Sequence, residues 1–263
     1  MTPLSGEVRT SASAARVDAV IVSDVHLSSA HPATTDAFLR FVAASVAGRA
    51  DRLYVIGDLF EYWAGDDDLD DPEDPLARQV ADVLSALATS GTDVGFIPGN
   101  RDFLIGDAFG RAAGVRLLPD PYPVQVAGVD LLLSHGDALC TDDVDYQCFR
   151  AMVREPAWQE SFLARPLAER RAVVANARAR SEAAKQGKDA AIMDVNDDAV
   201  QALLAAYPGR VLVHGHTHRP AHHIHAVGRE PRDRWVLPDW DAEATPPRGG
   251  GLALQDGHLV PID

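Results

Sequence analysis

Apolar residues along the chain come mostly in short unbroken runs, each closed by glycine or a polar residue. "VDAVIVS" (17–23), "RLYVIG" (52–57), "DVGFIPG" (93–99), "VDLLLS" (129–134) and "RVLV" (210–213) are rich in β-branched residues and leucine, which predicts strands. Between the first three lie longer segments with helical spacing of apolar positions, "TTDAFLRFVAASVAG" (34–48) and "PLARQVADVLSALATSG" (75–91). The second closes on a glycine that suits a helix C-terminus. Strand, turn, helix, strand predicts an α/β fold, a sheet flanked by helices. Each strand run is followed by a polar residue able to bind a metal: Asp24 and His26, Asp58, Asn100, His135, and His214 with His216 two further on. In open α/β sheets the C-terminal edge of the strands is where sites form. Five runs delivering such residues to one edge point to one site.

Residues 141–190 break this rhythm. They read as helical almost throughout, with Pro156 and Pro166 separating shorter helices. Residues 146–188 hold nine Lys/Arg against four Glu, in a chain whose net charge is −15. The segment reads as a positively charged helical cap inserted between two strands at about 141–190, on a main domain spanning 17–263. The acidic run "DDDLDDPED" (66–74) reads as a solvated loop.

With 263 residues, 46% of them hydrophobic, one domain with an insertion is favoured over two domains. Residues 1–16 read as a flexible tail without the apolar stretch of a signal peptide. The acidic balance argues against a general nucleic-acid binder, and no obligatory protein partner is evident. Cys140 and Cys148 are too few for a disulfide framework, which favours a reducing cytoplasm. No run approaches the roughly 18 consecutive apolar residues of a membrane span.

The candidate ligands Asp24, His26, Asp58, Asn100, His135, His214 and His216 combine carboxylates, an amide and imidazoles without thiolate. That set suits Mn2+, Fe2+ or Zn2+ and disfavours Ca2+ and structural zinc, while Mg2+ stays open. The set is too large for one ion, so Asp58, between the flanking pairs, is expected to bridge two. Two ions about 3.5–4 Å apart would clamp a phosphoryl group and acidify a shared water.

The blocks "SDVH", "GDLFEYW", "PGNRDF", "SHGD" and "HGHTHRP", in this order from residue 23 to 220, resemble the calcineurin-like metallophosphoesterases. The resemblance implies their sandwich of β-sheets flanked by helices. It assigns Asp24, His26, Asp58 and His216 to one ion, and Asp58, Asn100, His135 and His214 to the other. His218 has no ligand place in that scheme and is left as a hydrogen-bonding or structural residue. Where many members carry "GNHE" or "GNHD", this chain carries "GNRD". Arg101 stays protonated and cannot act as a general acid, but it can neutralise phosphate oxygens. A leaving group that needs no proton, such as phosphate leaving a pyrophosphate, fits this exchange.

"GNRDF", "LCTDDVDYQ", "AIMDVN" and "RWVLPDW" narrow the likeness to the bacterial UDP-2,3-diacylglucosamine pyrophosphatases of lipid A synthesis. That resemblance implies hydrolysis to UMP and 2,3-diacylglucosamine 1-phosphate, with a Mn2+-activated water attacking the α-phosphorus. It makes Asp58, Asn100, Arg101 and His135 the catalytic set. Substrate contacts would fall on Asn100, Arg101, Asp143, Ser181, Lys185, Lys188 and His214, and Lys185 and Pro238 depart from the family pattern. The cap would offer an apolar groove for two acyl chains. Its charge would draw the protein to the cytoplasmic face of the inner membrane as a peripheral protein, where the lipid-linked UDP-sugar resides. The alternatives are another phosphoesterase of this fold acting on a soluble nucleotide or phosphoprotein, or a non-catalytic scaffold. Retention of every expected ligand opposes the scaffold.

Overall fold

The apolar runs form strands whose two faces are both covered. β1 (Ala19–Val22), β2 (Arg52–Ile56) and β3 (Asp93–Ile97) lie parallel side by side. Parallel β4 (Arg116–Leu117) extends them at one edge; β10 (Gly251–Gln255) and β11 (His258–Ile262) add antiparallel at the other. A second, five-stranded sheet takes β5 (Tyr122–Val126), β6 (Val129–Ser134), β7 (Val211–His214), β8 (Ala221–Val227) and β9 (Glu230–Val236) in the order β5-β6-β7-β9-β8. The computed structural model describes residues 16–185, 194–228 and 230–263, with only the backbone described at 180–185. The expected tail therefore lies, but for Arg16, outside the described residues, as does Lys188, and so do the side chains of Ser181 and Lys185.

Side-chain alternation explains why the runs are unbroken. Ala19, Ile21, Tyr54 and Ile56 face Leu131, Leu133 and Val213 across the gap between the sheets. Val20, Val22, Leu53 and Val55 turn the other way. There they pack on α1 (Pro32–Phe41), α2 (Leu76–Thr89) and α3 (Asp107–Ala113). Leu132 and Leu212 meet Val200 and Leu204 of α7 (Asp197–Ala206) outside the second sheet. With helix, sheet, sheet and helix in layers, these central strands have no face left for polar residues. Each large side chain fully buried here contributes about 1.5–3 kcal/mol.

β6 and β7 are parallel neighbours, and their connection carries α4 (Val144–Val153), α5 (Pro156–Leu163), α6 (Leu167–Lys185) and α7. Asp143 caps α4 by accepting from the Tyr146 amide at 3.1 Å. Pro156 sits in the first turn of α5, where its missing N–H leaves no bond unmade.

The acidic run is not a solvated loop. Asp66–Asp70 forms a 3₁₀ turn, and the Asp66 carboxylate accepts amide protons from Gly106 (2.9 Å), Ala108 (2.8 Å) and Phe109 (3.0 Å) at the start of α3. Asp67 pairs with Arg170 of α6, which is only 3% exposed. Arg171 pairs with Asp68 and, at 2.6 Å, with Asp71. The partners sit about a hundred residues away in sequence, so local composition could not reveal them. Much of the insertion's positive charge is therefore engaged in docking it to the acidic body. Arg170→Ala should lower the unfolding free energy by about 1.5–3 kcal/mol, the range for hydrogen bonds to a charged group. An unchanged urea midpoint would show that the contact adds nothing.

Candidate metal centre

The strands end where the chemistry begins. Asp24 and His26 follow β1, Asp58 follows β2, Asn100 follows β3, and His135 follows β6 directly. Beyond β7 come His216 and His218. Asp24, His26, Asp58, His216 and His218 all hold positive φ, between 52° and 68°. Such left-handed backbone costs non-glycine residues about 1–3 kcal/mol each and tends to cluster at functional sites. The glycines between them allow close approach. A Cβ on Gly99 would stand 2.2 Å from Asp58 Oδ1, and one on Gly215 2.1 Å from Asp24 Oδ2.

Two groups of donors meet at Asp58. On one side His26 Nε2 and His218 Nε2 lie 3.3 Å apart. Asp24 Oδ1 is 3.4 Å from His218 Nε2, and Asp58 Oδ2 is 3.9 Å from His26 Nε2. On the other side His135 Nε2 is 3.7 Å from Asp58 Oδ1 and 2.9 Å from Asn100 Oδ1, which lies 2.8 Å from His216 Nδ1. The two carboxylate oxygens of Asp58 thus face different groups. Asp24 is fully buried; its Oδ2 takes protons from Ser23 Oγ and the His216 amide, while Oδ1 has no hydrogen-bond donor. An orphaned buried carboxylate oxygen amid converging imidazole nitrogens fits a divalent cation.

The charges of the site support one another. Burial opposes protonation of His135, yet the Asp58 and Asp24 carboxylates more than offset it and raise the imidazole to about 9. Burial likewise opposes ionisation of Asp24, but the His218 contact and the charge of His135 hold it well below the usual range. Asp102 is pushed up to about 6 by burial and the neighbouring Asp58. It anchors the metal-bearing loops by accepting from the amides of Leu59 and Gly99 at 2.7 Å.

The structure brings together Asp24, His26, Asp58, Asn100, His135 and His216, but not His214. β7 runs one residue past the apolar run, so His214 is its last member and shares a face with Leu212. Its Nδ1 donates to Gly215 O at 2.9 Å, and its Nε2 faces Arg234 Nη1 at 3.0 Å. Burial and Arg234 press it down to about 3. Both ring nitrogens are committed, and the side chain does not reach the cavity described below. His216 stands beside Asn100 and His135, where His214 was expected, and His218 stands beside Asp24 and His26, where His216 was expected.

Three acidic residues escaped the sequence reading. Glu61 Oε2 lies 2.9 Å from His26 Nδ1, and Asp239 Oδ2 lies 3.6 Å from His218 Nδ1, itself held by Arg248 at 2.9 Å. Asp137, wholly buried, accepts from Tyr146 Oη and Arg150 Nε of α4, both at 2.7 Å. Each lies inside a quoted motif or one residue from its end, but nothing in its spacing marks it. Arg101 donates its amide to Asp58 Oδ1 at 2.8 Å, and its side chain lines a cavity of about 740 Å³. Asp143 also lines it. The cavity runs from His26, Asp58, Asn100 and His216 to an apolar wall including Phe103, Phe149, Val153, Trp158, Phe162 and Val174.

Residues 18–220 match the calcineurin-like phosphoesterase family. A UDP-2,3-diacylglucosamine hydrolase of Aromatoleum aromaticum is 51% identical over 228 residues, covering 87% of this chain and 91% of the relative. One of Chromobacterium violaceum is 49% identical, covering 90% and 95%. One of Escherichia coli O7:K1 is 46% identical, covering 86% and 92%.

Proposed function

The chain belongs to the calcineurin-like phosphoesterases and, among them, to the UDP-2,3-diacylglucosamine hydrolases, and from that membership we propose that it splits the pyrophosphate bond of UDP-2,3-diacylglucosamine into UMP and 2,3-diacylglucosamine 1-phosphate. It is a metal-dependent hydrolase. The observation that carries the substrate assignment is a cavity in which a cluster of carboxylates and imidazoles opens onto an apolar wall. We assign Asp24, His26, Asp58 and His218 to one ion and Asp58, Asn100, His135 and His216 to a second. Mn2+ is the ion we favour for this oxygen and nitrogen donor set. Two such ions, when bound, supply Lewis acidity toward phosphoryl oxygens and bring the pKa of water toward neutrality.

The side chains of the chain do the rest. Arg101, permanently charged, faces the cavity and neutralises phosphate oxygens. It has no proton to give, and a departing phosphate needs none. Asp137 fixes Arg150 and Tyr146 in the cavity wall, and Tyr146 stacks on His216 with ring centroids 5.9 Å apart. Asp143, and by family likeness Ser181, Lys185 and Lys188, complete the substrate contacts. The insertion serves as a lid whose apolar inner face receives the acyl chains. Beyond the lining of that cavity it exposes Val144, Met152 and Leu163. Arg150, Arg170, Arg171 and Arg178 face carboxylates of the body, so attachment to a lipid surface rests on these apolar side chains more than on charge. Among the described residues no helix is long and apolar enough to cross a membrane.

The test compares three substrates with Mn2+ present: the diacyl UDP-sugar, its deacylated form and the lipid 1-phosphate product. About four buried methylenes at about 0.8 kcal/mol each amount to roughly two decades, so the deacylated form should lose at least 100-fold in kcat/KM. The monophosphate should release almost no inorganic phosphate. Equal turnover of the deacylated sugar, or faster cleavage of the monophosphate, would overturn the assignment in favour of a phosphoesterase of soluble substrates.

A further inference from the structure

We propose that Glu61 is a positioning residue that joins the helical insertion to the metal centre, so that ion binding at His26 and docking of α6 reinforce each other. Glu61 lies three residues past Asp58, with its side chain 14% exposed. Its two oxygens have different duties. Oε2 sits 2.9 Å from His26 Nδ1, a close contact not aligned as a hydrogen bond. Oε1 accepts from Arg178 Nη2 of α6 and lies 3.8 Å from Arg101 Nη1. Burial opposes the Glu61 charge, but His26 and then the two arginines hold the carboxyl at about 2.

A negative charge 2.9 Å from Nδ1 favours the proton on that nitrogen by electrostatics, which leaves the lone pair on Nε2 and makes it the better ligand. His26 Nε2 is the nitrogen that converges with His218 and Asp58. On the other side, Arg178 Nε is buried without a hydrogen-bond partner, so the Nη2 contact to Glu61 is what ties this guanidinium to the body. One carboxylate therefore serves both partners, and what fixes it for one fixes it for the other. Linkage makes the effect reciprocal: if docking of α6 favours the ion, the ion favours docking of α6 by the same factor. The second dock of α6, Arg170 and Arg171 on the acidic turn, touches neither His26 nor Glu61 and provides a control.

The inference rests on His26 being a ligand, so the experiment separates the two claims. Mn2+ affinity is measured by titration calorimetry, and amide exchange along α6 with and without Mn2+, in the absence of substrate. In the wild type Mn2+ should slow α6 exchange about five-fold or more. Glu61→Ala should weaken Mn2+ binding about 10- to 100-fold and abolish the slowing. Glu61→Gln keeps an acceptor for His26 but loses the charge that Arg178 needs. It should restore most of the affinity without restoring the slowing. Arg171→Ala should raise α6 exchange in both conditions while preserving the Mn2+-dependent ratio. A wild type whose α6 ignores Mn2+, or a Glu61→Ala variant that keeps the slowing, overturns the coupling. His26→Ala checks the premise: wild-type Mn2+ affinity in that variant would overturn the ligand assignment itself.

Discussion

Asp58→Ala should leave the protein folded, with fewer than two bound ions per chain, and reduce turnover by at least about three orders of magnitude. Asp58 turns its two oxygens toward the two donor groups, Oδ2 3.9 Å from His26 Nε2 and Oδ1 3.7 Å from His135 Nε2. On the proposed assignment its loss removes a ligand from each ion at once and leaves Asp24 as the remaining carboxylate of the two candidate groups. Metal-assisted stabilisation of a phosphoryl transition state amounts to several kcal/mol, and each decade of rate corresponds to about 1.4 kcal/mol. Folding should survive, because the loop is held independently by Asp102, which accepts from the Leu59 and Gly99 amides. Metal analysis of the dialysed variant beside its turnover gives the answer. Two tightly held ions and near-normal rates would rule out the bridge.

The strands and their residues at the C-terminal edge were legible because burial on both faces writes itself as unbroken apolar runs. Val20 and Ile21 face opposite ways, yet both are fully buried. The order of the motifs carried most of the donor set for the same reason: each donor follows a strand whose end is marked by glycine or a polar residue. What could not be read is long-range. Asp67 and Asp68 look like solvated acids until Arg170 and Arg171 arrive from α6. Glu61 looks like one more charge beside a motif until His26 and Arg178 are seen on its two oxygens. Ion pairs of this kind depend on how the insertion packs against the body, and nothing local encodes them. The place of His214, apart from the other expected donors, has a different origin. A strand boundary is uncertain by a residue or two, and a shift of one residue decides which face a side chain takes.

His218→Ala should lose tight binding of one ion and cost at least about two orders of magnitude in turnover, since the proposed assignment makes it a ligand of a catalytic ion. His214→Ala should keep both ions, because its two nitrogens already serve Gly215 and Arg234 and its side chain is fully buried. Its effect should instead appear in stability. Arg234 is 6% exposed and, among the described residues, would keep only His225 Nε2, at 2.9 Å, as its side-chain hydrogen-bond partner. Leaving a buried donor unsatisfied costs about 1–3 kcal/mol, so the urea midpoint should fall while metal content holds. The backbone agrees with this division: His216 and His218 hold left-handed φ of 68° and 54°, whereas His214 continues the strand and pairs with Val236. The opposite result, an ion lost with His214 and both kept without His218, would return the ligand assignment to the one drawn from family likeness.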